Sequence, residues 1–208
     1  MRILVISDLH GSDKGVRIIH SWIDETRPEL LLLCGDITHF GPISFARDFL
    51  EELNVRTLAI PGNCDPIRIL DLLDELGVNL HRKKVRIDGL TFVGFGGSNP
   101  TPFNTLFEIP EQEIWESLSA LMERQALLVT HAPPYGILDV AHPAGNLGSR
   151  SVRKIVEDYR PRLSVFGHIH EARGLKKGET TFLNPGEARR GYGAFVSIED
   201  SIEVKLLG

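Results

Sequence analysis

Three short apolar runs alternate with amphipathic stretches in the first third of the chain, and this order restricts the fold more than any other feature. The runs are RILVIS (Arg2–Ser7), ELLLLC (Glu29–Cys34) and RTLAI (Arg56–Ile60). Each is rich in aliphatic residues and continuous rather than alternating, so each reads as a strand buried on both faces. Between them, Val16, Ile19 and Ile23 recur at helical spacing over about Gly15–Thr26. Phe45, Phe49 and Leu53 share one face of a helix that opens near Pro42, and Ile69, Leu72, Leu73 and Leu76 mark a third helix. The order β-α-β-α-β-α calls for a parallel sheet with right-handed crossovers.

The remainder departs from that rhythm. KKVRIDGLTFVGFGG predicts two strands joined at Asp88-Gly89, a hairpin pair of turn residues. A polar loop, Ser98–Pro110, follows. Ile114, Trp115, Leu118, Leu121 and Met122 predict a helix face, ALLVT (Ala126–Thr130) a strand, Val152, Ile155, Val156 and Tyr159 another helix, and LSVFG a further strand. Segments near Thr180–Leu183, Ala194–Ile198 and Ile202–Leu206 read as short antiparallel strands. The expectation is one α/β domain over residues 1–208, with two packed sheets and helices outside.

A chain of 208 residues, 42% hydrophobic and 25% charged, can bury a sufficient core without disulfides or a structural metal. Any metal is then expected to be functional. Two cysteines, Cys34 and Cys64, make no disulfide framework. The net charge of −5 argues against a polymer-binding nucleic-acid protein. It leaves room for a small anion, because bound cations reverse the local field. The N-terminal apolar run is too short to span a bilayer and no signal-peptide pattern follows, so a cytoplasmic location without a membrane partner is expected. Homo-oligomerisation is left open.

The residues that follow the central strands carry the chemistry. Asp8 and His10 follow the first run, Gly35 and Asp36 the second, and Gly62, Asn63, Cys64 and Asp65 the third. His131 follows ALLVT, and Gly167, His168 and His170 follow LSVF. Ligands of open α/β sheets gather beyond the carboxyl ends of the strands, so five loops would deliver these groups to one place.

In order and spacing, Asp8-x-His10, Gly35-Asp36, Gly62-Asn63-x-Asp65, His131 and Gly167-His168-x-His170 resemble the calcineurin-like metallophosphoesterase superfamily. THAPPYGILD with VFGHIHEARG resembles its Icc-related, small intracellular branch. The resemblance implies a four-layer α/β/β/α sandwich of two mixed sheets flanked by helices. It also implies two divalent transition-metal ions: Asp8, His10, Asp36 and His170 would hold one, and Asp36, Asn63, His131 and His168 the other, with Asp36 bridging. Mixed nitrogen and oxygen donors suit Mn, Fe, Ni or Zn better than Ca or Mg. Such a pair hydrolyses small phosphate mono- or diesters, cyclic nucleotides among the candidates, by a metal-bridging hydroxide. A weakly catalytic binding scaffold and a nuclease on the same fold are the alternatives.

One position departs from the pattern. Where the family commonly has a histidine that helps protonate the leaving group, this chain has Cys64. Cys64 and Asp65 are candidate catalytic residues, Asp65 through hydrogen bonds that fix its loop. Asn63, His142, Arg150, Phe103 and Phe107 are candidates for substrate binding, and Asn184 for bracing the site. His39 is a candidate for contact with the metal ligands. His20 and His81 are expected at the surface.

Overall fold

A computed structural model describes residues 1–208. Strands β1 (Arg2–Ile6), β2 (Leu30–Cys34) and β3 (Thr57–Ile60) are parallel and are separated by α1 (Asp13–Thr26) and α2 (Ile43–Glu51). Helix α1 starts two residues before its apolar spacing predicts, because Ser12 caps it by accepting a hydrogen bond from the Gly15 N–H at 3.1 Å. Helix α3 (Ile69–Glu75) is followed by the hairpin β4 (Lys83–Ile87) and β5 (Leu90–Phe95). Asp88 and Gly89 both take positive φ at its turn, as a two-residue hairpin loop requires. Then come α4 (Glu111–Leu121), β6 (Leu127–Thr130), the two-residue strands β7 (Val140–Ala141) and β8 (Gly145–Asn146), α5 (Arg150–Tyr159) and β9 (Leu163–Val165). Four strands end the chain: β10 (Gly174–Lys176), β11 (Thr181–Asn184), β12 (Gly193–Ile198) and β13 (Ile202–Leu207).

The strands form a five-stranded sheet, β13-β12-β1-β2-β3, and a six-stranded sheet, β10-β11-β9-β6-β5-β4. Both are mixed. One residue set of each strand faces the other sheet: Ile3, Val5, Leu30 and Leu32 meet Phe92, Leu127, Val129 and Val165 in the central core. The alternate set faces helices. Leu4, Ile6, Leu31 and Leu33 pack with Ile19, Phe49 and Leu72, and Val93, Phe95 and Leu128 pack with Ile114, Leu118, Val152 and Ile155. The fold is the expected four-layer α/β/β/α sandwich; its central strands are buried on both faces and read as unbroken apolar runs, while the edge strands β4 and β13 are partly exposed.

Two local expectations fail. The segment near Thr180–Leu183 is antiparallel only to β10; on its other side β11 runs parallel to β9, with Phe182 opposite Ser164. His81 is buried, not at the surface, because β5 comes alongside it and its Nδ1 accepts from the Gly96 N–H at 2.8 Å. Burial, then the charge of Arg82, pushes that imidazole down to about 4.

Candidate metal centre

The parallel strands of both sheets end at the same edge, and their loops converge there. His131 crosses to the other sheet with its Nδ1 2.7 Å from the Cys34 carbonyl oxygen. The His168 N–H donates to Asp8 Oδ2 at 3.2 Å. Approach this close excludes β-carbons at two glycines: one at Gly62 would overlap Asp36, and one at Gly167 would overlap Ser7 and Asp8. Asp8, His10, Asp36 and His168 hold positive φ, between 47° and 68°. That conformation costs side-chain-bearing residues roughly 1–3 kcal/mol each and persists where the surroundings enforce it.

All seven candidate ligands lie together. Asp36 Oδ2 sits between two imidazoles, 3.7 Å from His10 Nε2 and 3.5 Å from His131 Nε2. On one side, His170 Nε2 is 3.3 Å from His10 Nε2 and 3.2 Å from Asp8 Oδ1. On the other, Asn63 Oδ1 is 2.9 Å from His131 Nε2 and 2.7 Å from His168 Nδ1. Ligand atoms of Asp8, His10 and His170 fall within 4.8 Å of one another, as do those of Asp8, Asp36 and His131. His168 Nε2 is buried without a hydrogen-bond partner. A buried nitrogen with no partner, beside carboxylates and three other imidazoles, fits divalent cations in this cluster.

The titrating groups push one another apart. Burial alone would lower His131, but the Asp36 carboxylate outweighs it and raises that imidazole to about 9. Burial, reinforced by His131, lowers His168 to about 4. Burial raises the Asp36 carboxyl, yet His131, His10 and the Cys64 N–H overcome it and hold the group well below the usual carboxylate range. Opposed shifts in one small cluster are characteristic of functional sites.

The cluster opens into a cleft of about 390 Å³, whose far wall includes Phe103, Ala141, His142, Pro143 and Leu147. No helix is long and apolar enough to cross a membrane. Residues 1–172 match the family model described as calcineurin-like phosphoesterase. The chain belongs to that family. Like other calcineurin-like phosphoesterases it is a metal-dependent hydrolase of phosphate esters. It is 41% identical over 197 residues to MJ1162 of Methanocaldococcus jannaschii, covering 89% of this chain and 88% of that one. A 3',5'-cyclic-nucleotide phosphodiesterase of Nostoc sp., alr5338, is 27% identical over 157 residues, 72% of this chain and 59% of the relative. In three dimensions the chain resembles TT1561 of Thermus thermophilus, with a TM-score of 0.76, 18% identity and coverage of 98% and 97%.

Within this calcineurin-like site the secondary candidates separate. His142 and Phe103 line the cleft. Phe107 does not: it is buried in the core under β5 and its ring packs on His81, 5.5 Å between centroids. Arg150 is turned away as well, its guanidinium 4.5 Å above the Tyr135 ring. Asp65 is fully buried, and its two oxygens accept from the N–H groups of Ile37, Thr38 and Gly62 and from the Thr38 hydroxyl. It ties the Asp36 loop to the Asn63 loop and does not reach the cleft, which corrects any direct catalytic role to a positioning one. Cys64 does line the cleft. His39 Nδ1 lies 3.4 Å from His10 Nδ1, in contact with the cluster. Asn184 braces from below, donating from Nδ2 to the Ile169 carbonyl at 2.9 Å.

Further residues, beyond those that the strand-end pattern singles out from Asp8 to His170, also act on the cluster. Glu187 Oε2 is 3.5 Å from His170 Nδ1, and the guanidiniums of Arg189 and Arg190 hold its carboxylate at 2.5 and 3.0 Å. A carboxylate behind a candidate ligand histidine fixes the ring's tautomer and direction. Thr105 Oγ1 accepts from Asn63 Nδ2 at 3.0 Å and so directs the Asn63 amide oxygen at the histidines, while Thr105 itself donates to Glu108 at 2.8 Å. Glu187 carries the same strand-end signal as the others, since it follows β11; Thr105 and Glu108 carry none.

Proposed function

We propose that the chain hydrolyses small phosphate mono- or diesters, cyclic nucleotides among them, with two divalent transition ions. Asp8, His10, Asp36 and His170 hold one ion, and Asp36, Asn63, His131 and His168 the other. The observation that carries this reading is the Asp36 carboxylate between His10 and His131, with one further set of donors on each side. When bound, such a pair supplies Lewis acidity to the phosphoryl oxygens and to the attacking water. The chain's own residues set the geometry. Thr105 orients Asn63, Asp65 locks two ligand loops together, Glu187 aims His170, and Phe103 and His142 wall the space for the ester group. The name of the Nostoc relative supports the diester side of the proposal. The complete donor set speaks against a pure binding scaffold. A cleft without a lysine or arginine on a chain of net charge −5 speaks against a nuclease.

A hydrolysis panel of monoesters, linear diesters and cyclic nucleotides tests this after chelation and reloading with Mn, Ni, Zn or Fe. Activity should vanish on chelation and return with one of these ions. Activity that survives chelation, or a reloaded protein inert on the whole panel, would sink the proposal.

Phe103→Ala and Phe107→Ala should diverge, although both positions lie in one short loop. Phe103→Ala should change the ranking of esters in the panel with metal content intact. Phe107→Ala should instead destabilise the fold by about 3–5 kcal/mol, as deleting a buried aromatic does. Kinetics across the panel and a denaturant melt decide; unchanged rankings in Phe103→Ala would remove that ring from the substrate site.

A further inference from the structure

The large exposed apolar side chains of this molecule are Phe40, Ile67, Phe103, Leu106, Val140 and Leu206. Phe103 lines the cleft, Leu106 and Val140 adjoin its lining residues Thr105 and Ala141 in the chain, and Phe40 is hydrogen-bonded to its lining residue Cys64. Phe40 ends the Asp36 loop, and its N–H donates to the Cys64 carbonyl at 3.0 Å. Ile67 leaves the loop of Asn63–Asp65. Phe103 and Leu106 flank Thr105, the partner of Asn63. Val140 opens the β7–β8 hairpin whose turn lines the cleft. Isolated exposed apolar residues are ordinary, but grouped ones mark ligand grooves or interfaces.

A second observation concerns charge. The cleft lining includes no lysine or arginine. The guanidiniums nearby do not line the cleft: Arg189 and Arg190 turn their Nε groups to Glu187 behind His170, and Arg150 lies over the Tyr135 ring. One phosphate can sit at the histidine–carboxylate cluster, but a second phosphate of the same substrate would meet Glu171, Thr105, His142 and apolar walls, with no fixed cation. An added negative charge without a cation is costly in such a partly dry space.

We infer that the substrate is a phosphodiester with a single negative charge and a bulky apolar group, which lies on Phe103 and runs out over Phe40, Leu106 and Val140. This rests on the phosphoesterase reading of the same cluster. In the reaction, water adds to phosphorus and one P–O bond breaks. The released alcohol takes a proton, and the apolar group stays on the monoester or leaves with the alcohol.

The test is a series of alkyl 4-nitrophenyl phosphodiesters, methyl, butyl and octyl, below their aggregation limits, with the metal-loaded full chain. The leaving group is constant, so chain length reports only the contact with the alkyl group. Full burial of a methylene corresponds to about fourfold, and a groove open on one side to about half that factor. Seven added methylenes at about twofold each should therefore raise kcat/KM by about 10²-fold from methyl to octyl. The double variant Phe40→Ser/Leu106→Ser, at half-exposed positions, should flatten that rise. A flat or falling series with the methyl ester hydrolysed would overturn the inference and leave the phosphoesterase reading standing. Failure to hydrolyse any member, with metals retained, would strike the phosphoesterase reading. Calorimetric affinities for methyl and octyl phosphate would then decide the apolar groove separately, and equal affinities would overturn it. A wild-type dimer that the double variant dissociates, together with a flat series, would assign the rim to a second copy of the chain instead.

Discussion

Asp36→Asn should empty both cation positions and lower hydrolysis by at least about 10²-fold, the upper end of what a partner one shell further out typically costs. Asp36 Oδ2 is the one carboxylate oxygen within 4 Å of an imidazole nitrogen from each half of the cluster, His10 and His131. Its other oxygen accepts from the Cys64 N–H at 2.8 Å. An asparagine of the same shape can keep that hydrogen bond, so the loop should hold and the protein should fold. What it lacks is the negative charge and the second oxygen acceptor. Asp36 supplies both at any working pH, because His131, His10 and the Cys64 N–H overcome its burial and keep it ionised. The measurements are metal per chain by elemental analysis after loading, circular dichroism for the fold, and kcat/KM on an activated ester. Two ions per chain with near-normal turnover in Asp36→Asn would remove Asp36 as the bridge, and with it the two-metal reading.

The strand-end pattern that singles out Asp36 is also what makes the fold legible. Leu30–Cys34 is buried on both faces, so nothing polar interrupts it until the chain leaves the sheet, and the first polar residue after the exit belongs to the site. After β3, β6 and β9 too the first polar residue beyond the strand belongs to the site, Asn63, His131 and His168, while after β1 Ser7 comes before Asp8. Information that resides in the partner rather than in the segment cannot be read this way. Nothing in TFLN announces that β11 runs parallel to β9, and VA and GN are too short to show any period. His81 reads as polar, yet its burial follows from the backbone of β5 alongside it. Phe103 and Phe107 look alike in a loop without periodicity. They part because the Phe107 N–H donates to the Asn63 carbonyl at 3.0 Å, which turns the Phe107 ring into the core and leaves Phe103 at the mouth. Arg150 opens a helix, as its sequence position indicates, but the direction of its side chain is set by Tyr135 on a different segment.

The largest effect on selectivity is expected at Cys64. A positioned general acid typically supplies about 10²–10⁴-fold, and the family commonly places a histidine here. Cys64 is buried against the cluster, with its backbone N–H fixed by Asp36 and its sulfur 3.7 Å from Asn63 Nδ2. Burial, then the Asp36 carboxylate, pushes the thiol up, and even an unperturbed thiol is a weaker acid than an imidazolium, so Cys64 is a poor proton donor to a departing oxygen. An alkoxide needs that proton; an aryl oxide leaves without it. Wild type should therefore prefer aryl esters to alkyl esters by about 10²-fold or more in kcat/KM. Cys64→Ser, nearly the same in shape, should leave both rates within a few-fold. Cys64→His should raise the alkyl rate much more than the aryl rate, since it supplies a donor only where one is lacking. Alkyl esters hydrolysed as fast as aryl esters by wild type would mean that another group donates, and His39, 3.4 Å from His10, is the exposed ring to test next. A collapse of both rates in Cys64→Ser with metals retained would show instead that the thiol takes part in the chemistry.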